Sequence, residues 1–279
     1  MSIYYFKISF LINMEISSQN FEKTTKVCGV LVEPRKTRNV LLLIDNFRKV
    51  LPNKILFFFC GSSHYSYYKS LFLNDPFIKI IDSGFDNFSA TTHSDFLKKR
   101  SFWENFYDFT HVLTLQIDGC LCTKSKFKIE DFLHYDYIGG YTPKKWWWRD
   151  THGLHNFSDY QCFNGGFSLR RIQCMLDIID TFPPKPSKDW RISTRMSFRT
   201  YIEDLYFVVG MLIINSTKDK PIYKVALDEF ATNFCTHTKY VKDTFCVHNL
   251  DKYSKNDELI EFLKYCPEFA YFTKIGLSF

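Results

Sequence analysis

The stretch Val112-Leu113-Thr114-Leu115-Gln116-Ile117-Asp118-Gly119-Cys120 constrains this chain more than any other. Six mostly apolar, β-prone residues run straight into an acid and then a glycine. An unbroken run of this kind predicts a strand buried on both faces, as in the parallel sheet of an α/β protein. Asp118 then falls at the carboxyl end of the strand, the end that faces the ligand crevice in open α/β sheets. A carboxylate there can anchor a divalent cation, which in turn can hold a diphosphate. An aspartate that only turns the chain before a glycine has the same pattern.

Around this segment the elements alternate. Val27–Val32, Lys54–Cys60, Phe77–Ile81 and Tyr137–Gly139 read as further strands. Between them, Arg38–Leu51 carries a helical stripe at Val40, Leu43, Ile44, Phe47 and Leu51. Tyr65–Leu73 also reads as a helix, as does Ser94–Tyr107 with Phe96, Trp103 and Phe106 on or near one face. Alternation of this kind implies βαβ units and a mostly parallel sheet flanked by helices. The second half is less regular. Tyr141–Gln161 and Pro183–Arg199 read as long loops. Gly165-Gly166 reads as a turn before a helical pattern that runs to Ile179. Ile202–Ile214 is a strongly apolar helix, Tyr223–His248 is mixed, and Asp257–Tyr265 is a C-terminal helix.

Charge and cysteine usage narrow the function classes. Lys and Arg number 36 against 30 Asp and Glu, a net +6 spread along the chain. That suits an anionic ligand and lacks the concentrated basic face of a nucleic-acid binder. The nine cysteines show no paired metal-ligand spacing, the one close pair being Cys120-x-Cys122. Reduced, mostly buried thiols and a cytoplasmic setting are expected. Lys7 interrupts the apolar N-terminus, Glu15 follows it, and no run reaches the roughly 18 apolar residues that span a bilayer. No transmembrane segment and no nucleic-acid partner are therefore expected.

Four clusters could carry chemistry. Asn164-Gly165-Gly166 lets backbone approach a ligand closely, or simply starts a helix. Glu203-Asp204 opens the apolar helix, where two acids complement the helix dipole or supply a general base. Adjacent helical residues point roughly 100° apart, so one of the two faces a substrate. His248 ends a short apolar run, as a structural residue or as a neutral metal ligand. Trp146-Trp147-Trp148 lies among Lys144, Lys145 and Arg149, where rings can stack on sugar faces, pack on the core, or contact a membrane surface or a protein.

The order of these clusters resembles the GT-A glycosyltransferases. More narrowly, the chain resembles an uncharacterised glycosyltransferase-like family found in giant viruses, bacteria and eukaryotes. The likeness rests on Val32-Glu33-Pro34-Arg35, Phe102-Trp103-Glu104, Gln116-Ile117-Asp118, Tyr135–Gly139, Asn164–Arg170, Glu203–Phe207 and Val247-His248, and covers about Val27 to Asn249.

This resemblance implies a GT-A-like mixed, mostly parallel α/β fold and a hexosyltransferase-like enzyme that moves a sugar from a nucleotide donor, expected to be a UDP-sugar, to a glycan or protein hydroxyl. It divides the chain into an arm or extra strand at 1–26 and one catalytic domain at 27–250. That domain has a nucleotide-binding half, 27–140, and an acceptor half, 141–250; a C-terminal helix follows at 251–279. It implies donor contacts from Val32, Glu33, Pro34, Arg35, Gln116, Asp118, Asn164, Gly165 and Gly166, and acceptor contacts from Trp146, Trp147 and Trp148. Asp204 becomes the base of an inverting reaction, while Glu203 contacts backbone or a basic side chain. Asp118 and His248 hold a divalent cation, Mn²⁺ or Mg²⁺. One departure stands out: GT-A enzymes commonly carry Asp-x-Asp at the metal site, and here Cys120 replaces the second acid, a poor partner for a hard cation. If the chain is viral, its setting is the host cytoplasm or the virion. Two rivals are a sugar nucleotidyltransferase, disfavoured because Glu33–Arg38 has no glycine, and a carbohydrate-binding or virion protein that kept the fold without the activity.

Overall fold

The computed structural model describes residues 27–142, 164–188, 197–226 and 228–273. The expected arm at 1–26 and the Trp146–Trp148 cluster lie outside these residues. Val27–Glu33 (β1), Leu56–Cys60 (β2), Ile78–Asp82 (β3) and His111–Leu115 (β4) pair in parallel. Tyr137–Gly140 (β6) and Asn164–Arg171 (β7) extend them to a six-stranded sheet of order β3-β2-β1-β4-β7-β6. Only β7 runs against its neighbours in this sheet, so the fold is α/β with a mixed, mostly parallel sheet. β1, β2 and β4 are buried along their whole length. That is why their sequences show unbroken apolar runs instead of alternation.

Helices cover both faces. On one, Arg38–Val50 (α1) brings Phe47 so close to β1 that a Cβ on Gly29 would lie 2.5 Å from the ring. On the same face, Tyr68 of Tyr65–Leu71 (α2) meets Phe58 edge-on at 4.8 Å between centroids. On the other, Ala90–Leu97 (α3) and Arg100–Trp103 (α4) bring Phe96, Phe102 and nearby Phe106 against Phe57 and Phe59, with centroids 5.1–6.2 Å apart. Edge-to-face pairs of this kind contribute about 0.5–1.5 kcal/mol each beyond their buried area. Ile172–Thr181 (α5) and Glu203–Ser216 (α6) complete that layer. α6 is buried from Leu205 to Leu212, as a helix apolar on all sides must be.

The chain steps outward from β1 to β2 and β3, then returns to place β4 on the other side of β1. The β1–β4 boundary is therefore a topological switch point, where a crevice opens at the strand carboxyl ends. A second, three-stranded sheet lies below it: Gly119–Leu121 (β5), Cys235–Thr236 (β8) and Cys246–His248 (β9), in order β5-β9-β8. Asp228–Phe234 (α7) packs on β8 of this smaller sheet, and Asn256–Tyr265 (α8) reaches it through the Pro267–Tyr271 turn, which contacts β5. Among the described residues no helix is long and apolar enough to cross a membrane.

Three local expectations are corrected. The single helix over Ser94–Tyr107 is two helices followed by a 3-10 turn. Helix α3 starts earlier, because Ser89 and Thr92 cap it reciprocally, Thr92 N–H donating to Ser89 Oγ and Ser89 N–H to Thr92 Oγ1. It stops at Leu97, whose carbonyl accepts the Trp103 indole N–H at 2.7 Å, while buried Lys98 turns its Nζ to the carbonyls of Lys185 and Tyr201. The Asn164-Gly165-Gly166 segment does not turn into a helix; it begins strand β7, and α5 starts only at Ile172. Asp118 stands three residues beyond the end of β4, in the turn that leads into β5.

Candidate functional site

A cavity of about 330 Å³ opens at the β1–β4 switch point. Its walls bring together Val32, Glu33, Pro34, Arg35, Gln116, Asp118, Asn164, Gly166, Glu203 and Asp204, residues drawn from four separate stretches of sequence. Each arrives for a local reason. The Val32–Arg35 wall is the carboxyl end of β1, where Arg35 clamps Glu33 with two guanidinium hydrogen bonds of 2.7 and 2.8 Å. Glu203 and Asp204 are the first turn of α6, held by its buried body. The turn after β4 carries Gln116 and Asp118 to the rim.

Asp118 meets His248 because β5 pairs with β9, Gly119 opposite His248, and Asn249 N–H donates to the Asp118 carbonyl at 3.0 Å. Gly166 N–H donates to Asn164 Oδ1, which marks that atom as the amide oxygen. His248 Nδ1 lies 2.8 Å from the same oxygen. Its Nε2 faces Asp118 Oδ1 at 2.9 Å, and the Asn249 amide nitrogen lies 2.9 Å from Nε2 and 2.7 Å from Asp118 Oδ2. Lys252 Nζ stands 3.7 Å from Oδ2. Burial pushes the Asp118 carboxyl up, but the hydrogen bonds and charges of His248, Asn249 and Lys252 outweigh it and hold the group well below the usual carboxylate range. Asn249 adopts a left-handed backbone, φ 52°, which asparagine tolerates and which turns its amide back to this cluster.

The donor set fits a cation in part. Two ligand atoms about 2.0–2.2 Å from a shared ion, at a right angle, sit about 3 Å apart, and Nε2 and Oδ1 have that spacing. Among the described residues no group of three or more His, Cys, Asp and Glu converges for a metal. Any cation held by Asp118 and His248 would need its remaining ligands from a bound molecule and water. Cys120 is not one of them: it is fully buried, with its Sγ 3.8 Å from that of Cys266.

Behind the cavity lies a buried polar network. Arg170, fully buried, donates from Nη2 to Glu203 Oε1 at 3.1 Å and to the Gly165 carbonyl at 3.2 Å, and from Nε to Ser168 Oγ at 2.8 Å. Ser94 donates to Glu203 Oε2 at 3.1 Å. Burial raises the Glu203 carboxyl, but the charges of Arg170 and His93 and the bonds from Arg170 and Ser94 pull it below its ordinary value. Asp204 has no such partner. It accepts Gly165 N–H at 3.1 Å, and burial together with the neighbouring Glu203 charge pushes it up to about 7. The two adjacent acids are thereby split, one fixed as an anion and one poised to exchange a proton near neutrality.

Both glycines are required by close approach. A Cβ on Gly165 would lie 2.5 Å from Arg170 Nη2, and one on Gly166 would lie 2.2 Å from His248 Cε1. Gly166→Ala is therefore expected to displace the imidazole and weaken binding of a diphosphate ligand about tenfold or more, a cost of about 1.4 kcal/mol. Isothermal titration on a variant with unchanged circular dichroism checks this, and wild-type affinity would refute it.

Phe88, Ser89, Ala90, His93 and Ser94 also line the cavity, and none stands out in the sequence. The available signal was Ser89 as a helix cap, obscured because its reciprocal partner is Thr92 and not the usual Glu or Gln. Asn249, Lys252 and Arg170 were missed as well; Asn249 and Lys252 are reached only through the β5–β9 pairing.

Comparison with protein families matches residues 78–248, more than half of the chain, to the family described as "Protein of unknown function (DUF5672)". No curated protein matches the sequence. Solved structures with detectable likeness include the bifunctional IspDF from Campylobacter jejuni, at 13% identity over 56% of this chain and 43% of that one, TM-score 0.35. They include the glycosyltransferase GlyE of Streptococcus pneumoniae TIGR4, at 13% identity over 84% of this chain and 56% of that one, TM-score 0.40. They also include a glycosyltransferase involved in the glycosylation of the major capsid of PBCV-1, at 13% identity over 85% of this chain and 98% of that one, TM-score 0.39. The chain spans less than two thirds of the first two.

Proposed function

Given that the chain belongs to the DUF5672 family of proteins of unknown function, we propose from its site that it transfers a sugar from a nucleoside diphosphate donor, with UDP as the expected nucleotide, to a hydroxyl acceptor. One observation carries this reading. A single switch-point cavity is walled by the end of β1, by Asp118, by Asn164 and Gly166, and by an Asp204 pushed up to about 7. A strand end and a half-buried carboxylate at the rim suit a nucleotide and its diphosphate counter-charge; a half-buried acid near neutrality suits removal of a hydroxyl proton.

In this reading the β1 end, Val32 to Arg35, holds the nucleoside, and Asn164 with the Gly165-Gly166 backbone lines the sugar. Asp118 and His248 would hold a divalent cation, Mn²⁺ or Mg²⁺, and its positive charge would offset that developing on the donor diphosphate. Asp204 takes the acceptor proton as the acceptor oxygen bonds to the anomeric carbon and the bond from that carbon to the donor diphosphate breaks, inverting the centre. Trp146, Trp147 and Trp148 remain proposed acceptor contacts. A sugar nucleotidyltransferase fits less well, because Pro34 to Thr37, between β1 and α1, has no glycine and Arg35 is committed to Glu33.

The test is a thermal-shift panel of nucleotides and nucleotide sugars with and without Mn²⁺, followed by an assay of nucleoside diphosphate release with acceptor. UDP or GDP, and not ATP, is expected to raise the melting temperature, by mass action on the folded state. No binding of any nucleoside diphosphate at millimolar concentration would sink the reading; binding without turnover on any donor would leave a carbohydrate-binding protein. Asp118→Ala is expected to weaken donor binding, and His248→Ala to do so less. If EDTA leaves wild-type affinity unchanged, the cation role of both residues falls.

A further inference from the structure

Beside the small sheet that ends in His248, three cysteines meet that the proposed reaction does not use. Cys120 lies on β5 and Cys122 just beyond it, while Cys266 closes α8. All three thiols are free and buried. Cys120 Sγ and Cys266 Sγ are 3.8 Å apart although 146 residues separate them in sequence. Thiols at that separation are in van der Waals contact.

We propose that Cys120 and Cys266 form a reversible disulfide when the protein meets a small hydroperoxide, and that this bond locks the C-terminal helix layer onto the sheet beneath the site. Three observations support it besides proximity. A second cavity, of about 720 Å³, opens between the carboxyl end of α1 and the segment after β5, and Cys122 forms part of its wall beside Phe127 and Phe245. It lies apart from the switch-point cavity and shares none of its lining. It brings a small oxidant as far as Cys122, whose thiol hydrogen-bonds Cys266. Burial raises the Cys266 thiol, but hydrogen bonds from Cys120 and Cys122 outweigh it and lower it, while both of those thiols are raised, so Cys266 is the member of the three that ionises first. The bond would also tie two regions that contact only through side chains and short turns. Cys266 stands between α8 and the Pro267–Tyr271 turn, which packs on both α1 and β5.

The chemistry balances with a hydroperoxide as oxidant. The Cys266 thiolate attacks a peroxide oxygen, the O–O bond breaks, and a sulfenic acid forms as the other oxygen leaves as water or an alcohol after taking up a proton. The Cys120 sulfur then attacks that sulfur. The S–S bond forms, the S–O bond breaks, and the hydroxyl leaves as water with the Cys120 proton. Two electrons pass from the sulfurs to the peroxide, and a dithiol such as dithiothreitol restores the thiols.

The test treats the full chain with stoichiometric hydrogen peroxide, blocks remaining thiols by alkylation under denaturing conditions, and maps peptides by mass spectrometry. The expected result is a Cys120–Cys266 linked peptide that dithiothreitol cleaves. A second readout is the melting temperature, expected to rise by about 5–10 °C on oxidation of the wild type, and not to move in Cys266→Ala. Full alkylation of Cys120 and Cys266 after oxidation overturns the proposal, as does a linkage through any other pair. The wild-type peptide map decides the matter even if the alanine variant folds poorly.

Discussion

Arg170→Met is expected to cost about 3–5 kcal/mol of folding stability, the largest loss of any single substitution behind the cavity. Arg170 is fully buried and its partner Glu203 nearly so. Removing the cation leaves an ionised carboxylate in a low-dielectric interior, with only Ser94 to bond it. The Gly165 carbonyl and Ser168 hydroxyl lose their guanidinium donors in the same step. Methionine fills the space between the Tyr137 and Phe207 rings, each within about 6 Å of the guanidinium carbon, so the loss reflects the charge and not a cavity. Pairing it with Glu203→Gln should recover most of the stability, because the stranded anion is gone. Urea denaturation of the two single variants and the double variant measures this directly. A single-variant loss below about 1 kcal/mol, or no recovery in the double, would show that the pair is not the keystone of the wall.

That network also marks where the sequence stops being legible. β1, β2, β4, α1, α6 and α8 are readable because burial there follows chain periodicity: apolar runs for strands covered on both faces, a stripe for α1, a wholly apolar body for α6. Strand β7 defeats the same reading. Phe167 and Leu169 alternate with Ser168 and Arg170, but all four are buried, since Ser168 Oγ and the Nε and Nη2 of Arg170 bond Thr114, Gly165, Glu203 and each other instead of water. Pattern alone cannot separate such a strand from a turn leading into a helix. The site shows the same division. Asp118, Asn164, Gly166, Glu203 and Asp204 are visible as motifs, and the fold gathers them at one cavity. The bond between Asp118 and His248 spans 130 residues and exists only through the β5–β9 ladder, so neither Asn249 nor Lys252 could be placed beside them from order in the chain.

Asp204→Asn is expected to lower turnover by about 10²-fold or more while leaving donor binding near wild type, the scale at which a positioned general base acts. The argument begins with placement. The apolar body of α6 anchors its first turn, so Asp204 is held by packing and by Gly165 N–H, not by a mobile loop. Glu203 faces away from this role, because both its oxygens are engaged by Arg170 and Ser94. The pH dependence follows from the raised Asp204 carboxyl, near 7 against an ordinary 3.8. A base must be unprotonated to act, so kcat/KM should rise with pH through a limb near 7 and level above it, and Asp204→Asn should abolish that limb. Arg170→Met, examined at a temperature where it stays folded, should move the limb upward, since the Arg170 charge now holds Asp204 lower than burial alone would. A pH-rate study of the three proteins, with donor affinity measured separately, checks each step. If Asp204→Asn transfers sugar at near wild-type rate, Asp204 leaves the mechanism, and the site must then either use another base or proceed with retention at the anomeric carbon.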